Sequence, residues 1–284
     1  MTFVTRFAPS PTGFMHLGHA FSALTVFRAA QAKRGIFILR MEDLDFTRCK
    51  PEYEEAIIDD LRWLGIKWDG DVWRQSERRA EYAARLQSLI DRNLVYRCFR
   101  SRKEIEEITA APHGQLPQAV NAGPLPAAEE EDKLAQGVPF SWRLSNMSVG
   151  MALEQYAADL RYAVQGDDGD VSTHPVQTEA FDGIILARKD IGTSYHLASV
   201  HDDDAANVSH IIRGEDLADA APLHRLLYAL FGLRAPTYHH HTLITNAQGK
   251  RLAKRDSDLS LQQLRKDGAS PEDIMLKVGL PIIK

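Results

Sequence analysis

His16, Leu17, Gly18 and His19 set two imidazoles around a glycine, between a strand-like run and a helix-like run. Phe3 to Phe7 reads as a short buried strand, and Pro9-Ser10-Pro11-Thr12-Gly13 as a turn-rich loop. From His19 to about Arg34 the pattern is helical, with Phe21, Leu24, Phe27 and Arg28 at three- and four-residue spacing. A helix N-terminus offers unpaired amides and the positive end of a dipole, which attract phosphate. Gly18 lets a nucleotide approach the backbone, and the imidazoles can donate to charge developing on a pentavalent phosphorus. The blander account is a pair of capping histidines in a surface loop; the strand-loop-helix setting favours the phosphate.

A second constellation lies late in the chain, at Gly249-Lys250-Arg251-Leu252-Ala253-Lys254-Arg255. Alone, such a run is usually a solvated basic loop. Beside the first constellation it reads as a loop whose lysine neutralises triphosphate charge in a transition state.

The elements that must position these residues follow from periodicity. Gly35 ends the first helix, and Ile36 to Met41 is an apolar run expected of a strand covered on both faces. This is a β-α-β unit, and parallel sheets bind ligands at the carboxyl ends of their strands. Helices are expected from Pro51 to Leu64, with Ile57, Leu61 and Leu64 on one face, and from Ser76, as N-cap, to about Arg92. Val95 to Arg97 is the next strand. Between Ile108 and Gly137 the composition turns to Ala, Pro, Gly and Glu, with an acidic cluster at Glu129-Glu130-Glu131-Asp132, and this stretch reads as exposed and disordered. The pattern then resumes with a strand Ser209–Arg213, a helix Leu217–Phe231, a strand Tyr238–Thr245, the loop Asn246–Asp258 and a helix Leu259–Lys266.

The bulk properties exclude several classes. A chain of 284 residues makes one large or two modest domains. No run approaches the roughly 18 apolar residues of a membrane helix, and the first residues lack a secretory pattern. Two cysteines, Cys49 and Cys98, cannot form a disulfide framework. A cytoplasmic protein with no membrane partner is expected. A net charge of −5 argues against a nonspecific nucleic-acid coat, while a local basic surface suffices for a tRNA.

Together the two constellations resemble the HIGH motif and the KMSKS loop of class I aminoacyl-tRNA synthetases. The run Arg6 to Gly13, the run Leu39 to Asp45 with Arg48, Ile212 to Asp216, Trp68-Asp69-Gly70 and Gln75-Ser76 narrow the likeness to glutamyl-tRNA synthetases. The resemblance runs from Thr5 to about Gly279 and weakens across 105–170. It implies an α/β fold: a Rossmann-like nucleotide-binding domain with a parallel sheet, interrupted by a smaller inserted domain. The expected division is 1–96 and 191–245 for the two catalytic halves, 97–190 for an insertion resembling an acceptor-binding subdomain with a flexible segment at 109–139, and 246–284 for the signature loop and terminal helices.

Glutamate carries two carboxylates and one ammonium, so a selective pocket needs guanidinium for the side-chain carboxylate and an acid for the amine. The residues matching the family's pocket are Arg6, Ala8, Ser10, Glu42, Tyr195 and Arg213. Arg6 and Arg213 are assigned the carboxylate contacts, Glu42 the ammonium, and Tyr195 a hydroxyl and an apolar wall. By the same resemblance Pro9, His16, Gly18, His19, Arg251, Leu252 and Lys254 bind ATP, with His16, His19 and Lys254 stabilising the transition state and Mg2+ carried by the leaving pyrophosphate.

Ordinary members of the family continue into a domain that reads the anticodon, whereas this sequence stops at Lys284. Short chains of the family attach glutamate to the queuosine base in the anticodon loop of tRNA(Asp), and the resemblance implies that activity, the tRNA(Asp) anticodon arm as partner, and a monomer. The competing readings are charging of a tRNA 3′ end, a nucleotidyltransferase using the same His-x-Gly-His loop, and an inactive RNA-binding relative. Family members hold zinc through Cys-x-Cys, a tyrosine and a later cysteine. Here Cys98 is followed by Arg100 and no later cysteine, so no zinc and no other metal site is expected, His113 included. Cys49 reads as a small half-buried residue. In His239-His240-His241 strand alternation lets only His239 and His241 converge, and the family places a histidine matching His240 near the nucleotide. His201-Asp202-Asp203-Asp204 reads as a solvated turn.

Overall fold

Short apolar runs joined by amphipathic helices can hide both faces of a sheet, and the computed structural model shows how. It describes residues 2–100, 123–153, 160–188, 192–244 and 260–282. The chain begins with β1 (Val4–Phe7), α1 (Leu17–Ala32), β2 (Ile36–Met41), α2 (Pro51–Trp63), β3 (Trp73–Arg74) and α3 (Arg79–Asp91). β2 lies parallel to β1, with Arg6 beside Ile38, and β3 lies parallel to β2. Gly35 closes α1 through its amide, which donates to the Ala30 carbonyl at 2.8 Å, but it is not the left-handed residue of that turn. Arg34 takes the left-handed conformation at φ 49°, while a Cβ on Gly35 would sit 2.4 Å from the Phe3 carbonyl that Ile36 N–H must reach. Ser76 does not cap α3. It lies in a 3₁₀ turn, Gln75–Arg78, and its amide and hydroxyl both donate to Asp43, tying that turn to the loop after β2.

The middle of the chain supplies β4 (Val95–Cys98), α4 (Ala127–Ala135), β5 (Ser141–Leu144), α5 (Asn146–Leu153), β6 (Arg161–Gln165), β7 (Val171–Pro175), β8 (Ile185–Arg188) and β9 (Gly192–Thr193). Strands β4, β5, β8 and β9 form an antiparallel sheet in that order. The acidic cluster corrects the expectation of disorder across 127–135: it is part of α4. Glu129 and Glu130 occupy the first turn and Lys133 the last, matching the helix dipole, and Glu130 pairs with Arg97. The helix buries no residue fully, so it is exposed yet ordered.

The last third contains α6 (Tyr195–Ala205), β10 (His210–Gly214), α7 (Ala221–Leu230), β11 (Thr237–His241), α8 (Leu261–Lys266) and α9 (Pro271–Lys277). β10 and β11 are parallel, and β6 adds to β11 in parallel with β7 antiparallel beyond it. Residues 160–188 therefore contribute strands to two of the three sheets, β6 and β7 beside β11 and β8 beside β5. Ser209 closes the seam between the halves: its amide donates to the Val4 carbonyl at 2.9 Å and its hydroxyl accepts from Val4 N–H at 2.8 Å.

Residues His201 to Asp204 are the last turn of α6, not a solvated turn. Asp202 is 0% and Asp203 1% exposed. Buried carboxylates persist only with partners, and these have them. Asp202 takes Gln75 Nε2 at 2.9 Å, Arg78 Nε at 3.0 Å and the Tyr82 hydroxyl, and Asp203 takes Arg6 and Arg40.

One apolar cluster packs α1, α2, β1 and β2 against α8 and α9 through Leu24, Leu39, Leu61, Leu261 and Ile274. A second joins α3, α5, α6 and α7 to the antiparallel sheet through Tyr82, Leu144, Leu197 and Leu226. The carboxyl ends of β1 and β10 and the start of α1 meet between these clusters.

Candidate active site

The start of α1 is fixed by its own histidines. His16 occupies the N-cap with extended backbone; its Nδ1 accepts from Gly18 N–H at 3.1 Å, and His16 N–H donates to His19 Nδ1 at 3.2 Å. Both Nδ1 atoms act as acceptors, so each ring carries its proton on Nε2. The rings lie 3.9 Å apart and tilted by 31°. Gly18 leaves room for this fold: a Cβ there would meet His16 Cε1 at 3.0 Å. Capping uses Nδ1 of each ring, and an Nε2–H is the donor type a phosphate requires.

A cleft of about 750 Å³ opens in front of this helix end. Arg6, Ala8, Pro9, Ser10, His16, Gly18, His19, Glu42, Tyr195 and Arg213 all line it, so the pocket residues expected from β1, the α1 turn, β2, α6 and β10 are brought together. Arg251, Leu252 and Lys254 lie outside the described residues.

Arg213 shows what the cleft is built to receive. It is 5% exposed; its Nη1 donates to the Tyr195 hydroxyl at 3.2 Å, while Nε and Nη2 are buried with no hydrogen-bond partner among the described residues. Nε and Nη2 form the edge that grips a carboxylate side-on. Glu42 is the counterpart. Arg40 Nη2 donates to its Oε1 at 3.2 Å and the Ser199 hydroxyl to the same oxygen at 3.3 Å, leaving Oε2 for a cation. Burial pushes the Glu42 carboxyl above its ordinary range, with Arg40 and Arg6 pulling the other way. Arg6 is not wholly available, because its Nε is committed to Asp203 Oδ1 at 3.0 Å. Only its terminal amino groups remain for a ligand.

Sequence reasoning missed the groups behind this layer. Arg40 is 2% exposed and bridges Asp203 and Glu42. The signal was present: a charged residue inside the apolar run of β2 demands a buried partner. The cleft also takes one histidine of the His239–His241 run. His241 lines it, with Nδ1 bonded to the Thr242 carbonyl and Nε2 taking the Ser22 hydroxyl at 3.0 Å. His240 lies on the opposite face of β11, stacked on Tyr238, and its pKa falls to about 4 through burial and the nearby Arg213. His239 shares a face with His241 but turns to Asp167 and the Gln165 carbonyl.

Cys98 is buried in β4, and burial pushes the half-buried Cys49 thiol up, away from nucleophilic use. Among the described residues no group of three His, Cys, Asp or Glu side chains gathers as a metal site, and no helix is long and apolar enough to cross a membrane.

Known proteins resemble this chain in sequence and in fold. Residues 2–281 match the model of the family described as tRNA synthetases class I (E and Q), catalytic domain. A glutamyl-Q tRNA(Asp) synthetase of Rhodobacter capsulatus is 43% identical over 98% of this chain and 100% of that protein. A glutamate–tRNA ligase of Saccharophagus degradans is 36% identical over 98% of this chain but 56% of its own length. The crystal structure of a glutamate-tRNA synthetase from Elizabethkingia anophelis superposes with a TM-score of 0.79 at 28% identity, covering 98% of this chain and 61% of that one. The chain thus spans the whole of the first relative and little more than half of the second. With that match and the cleft it contains, the chain belongs to the class I tRNA synthetases for Glu and Gln, through their catalytic domain.

Proposed function

We propose that this chain is an ATP-dependent ligase that activates glutamate as glutamyl-adenylate and transfers the glutamyl group to the queuosine base in the anticodon loop of tRNA(Asp). The observation that carries the amino-acid choice is that Arg213, whose buried Nε and Nη2 have no hydrogen-bond partner among the described residues, lines the same cleft as Glu42 and Arg6. Two guanidinium sites and one carboxylate complement two carboxylates and one ammonium. The acceptor rests on the likeness to the Rhodobacter protein, which this chain matches along its whole length.

Activation needs little acid-base chemistry, because a carboxylate is already a nucleophile. The α1 amides and the Nε2–H groups of His16 and His19 would take the α-phosphate, and Arg6, Glu42 and Arg213 would hold glutamate in line with it. Lys254 would add its charge to the triphosphate, and Mg2+ would travel with the pyrophosphate. Tyr195 and Ser10 would close the amino-acid end of the cleft. The tRNA(Asp) anticodon arm, a monomeric state and a cytoplasmic location belong to the same reading.

Two assays test it. Glutamate alone, without tRNA, should drive exchange of labelled pyrophosphate into ATP. Labelled glutamate should then appear on tRNA(Asp) that carries queuosine and not on tRNA(Asp) that lacks it. Label on the queuosine-free tRNA, or release of the label as a 3′-terminal ester, would replace the acceptor with the tRNA 3′ end.

A further inference from the structure

Arg6 and Glu42 carry opposite charges and line one cleft. In a site shielded from water such a pair is drawn together, and a pocket that closes on itself binds no amino acid. Two groups hold them to other tasks. Asp203 Oδ1 accepts from Arg6 Nε at 3.0 Å and from Arg40 Nη1 at 2.6 Å, and Arg40 Nη2 donates to Glu42 Oε1 at 3.2 Å. The result is a chain of alternating charge, Arg6–Asp203–Arg40–Glu42, running behind the cleft from β1 through α6 to β2. Asp203 is 1% exposed and its Oδ2 has no hydrogen-bond partner among the described residues. Burial would raise its pKa, but Arg40 and Arg6 overcome this and hold it below the usual carboxylate range.

We propose that Asp203 is a positioning residue for amino-acid selection: it anchors Arg6 through Nε, leaving the terminal amino groups to the ligand carboxylate, and through Arg40 keeps Glu42 turned to the ligand ammonium. It does not line the cleft itself. The inference deepens the glutamate reading and rests on it. Without Asp203, Arg6 loses the acceptor that competes with Glu42, and Arg40 loses one of the two carboxylates it hydrogen-bonds, Asp202 staying at 3.9 Å. A direct Arg6–Glu42 pair then consumes one carboxylate site and the ammonium site together, while the α1 phosphate site is untouched.

The test is glutamate-dependent ATP–pyrophosphate exchange with Asp203→Asn, which keeps the shape and removes the charge. The KM for glutamate should rise about 30-fold while the KM for ATP changes by less than about twofold, and the preference for glutamate over glutamine should fall about tenfold. Arg40→Lys supplies the second variant. It keeps the charge, but one ammonium cannot reproduce a planar bridge to two carboxylates, so the same split is expected with a melting temperature near that of the unaltered chain. An unchanged KM for glutamate in either variant overturns the proposal. So does a parallel rise of both KM values with a drop in melting temperature, the mark of a purely structural ion network. If Asp203→Asn yields no folded protein, Arg40→Lys decides alone by the same split. Absence of exchange in the unaltered chain would instead overturn the glutamate reading, so the two failures are distinguishable.

Discussion

Arg213 Nη1 donates to the Tyr195 hydroxyl at 3.2 Å, and that bond leaves the Nε/Nη2 edge of the guanidinium buried with no hydrogen-bond partner among the described residues. The ring of Tyr238, 5.4 Å from the Arg213 Cζ, covers one of its faces. A guanidinium so held loses little freedom when a carboxylate arrives. Arg213→Lys keeps the charge and forfeits the two-point grip, so kcat/KM for glutamate in pyrophosphate exchange should fall about 100-fold or more. Tyr195→Phe removes only the stop and should cost about tenfold, carried by KM. The reverse order would place the substrate carboxylate at Tyr195.

His16 has two tasks, and two substitutions separate them. His16→Ala removes the side chain that caps α1, so stability should drop by about 1 kcal/mol and exchange should fall as well. His16→Asn restores a capping acceptor but offers no Nε2–H. Its melting temperature should match that of the unaltered chain, while kcat falls about 100-fold. Equal kcat in His16→Asn and the unaltered chain would show that the α1 amides alone serve the phosphate.

How much was legible beforehand depends on sequence distance. The β1–loop–α1–β2 unit is contiguous, and its spacing, turn residues and apolar runs fixed both the elements and the placing of His16, Gly18 and His19. The buried ion network was hidden because its members are far apart: Arg6 and Asp203 are separated by 197 positions, Arg40 and Asp203 by 163. Three consecutive aspartates look solvated until four guanidinia are known to surround them, and only the tertiary fold brings those in. Strand alternation gave the right pairing for His239 and His241, yet it cannot say which face of β11 meets α1. The Ser22 hydroxyl decides that, 219 positions from His241. The acidic run in α4 was misread because composition alone does not register that acids in a first turn complement a helix dipole.

Glu42 sets a pH limit on amino-acid binding. Burial raises its pKa above the ordinary carboxylate value, and only its ionised form attracts an ammonium. A raised acid takes up its proton earlier as pH falls. The KM for glutamate should therefore rise as pH is lowered toward that raised value, while the KM for ATP stays flat across the same interval. Glu42→Gln should abolish this slope and bind glutamate weakly at every pH, with kcat/KM lower by about 100-fold at neutral pH. A slope that persists in Glu42→Gln would assign the titration to another group.

Asp60 carries the last prediction, on stability. It sits on the buried face of α2 with its side chain 0% exposed, and neither carboxylate oxygen has a hydrogen-bond partner among the described residues. Arg265 on α8 approaches to 3.8 Å, too far to bond. Burial raises the carboxyl from an ordinary 3.8 to about 6, against the pull of Arg265. A folded pKa above the unfolded one means the folded state holds the proton more tightly. The protonated form is therefore favourable to folding below about pH 4, and that advantage is lost as pH rises through about 6. Asp60→Asn, which cannot ionise, should leave stability unchanged at low pH and raise it above pH 6 by about 1–3 kcal/mol, read from chemical denaturation at several pH values. A destabilised Asp60→Asn at neutral pH would reverse the balance, making the Asp60–Arg265 attraction worth more than the burial it opposes. It would also add that pair to the apolar contacts that hold α8, the helix following the second signature loop, against α2.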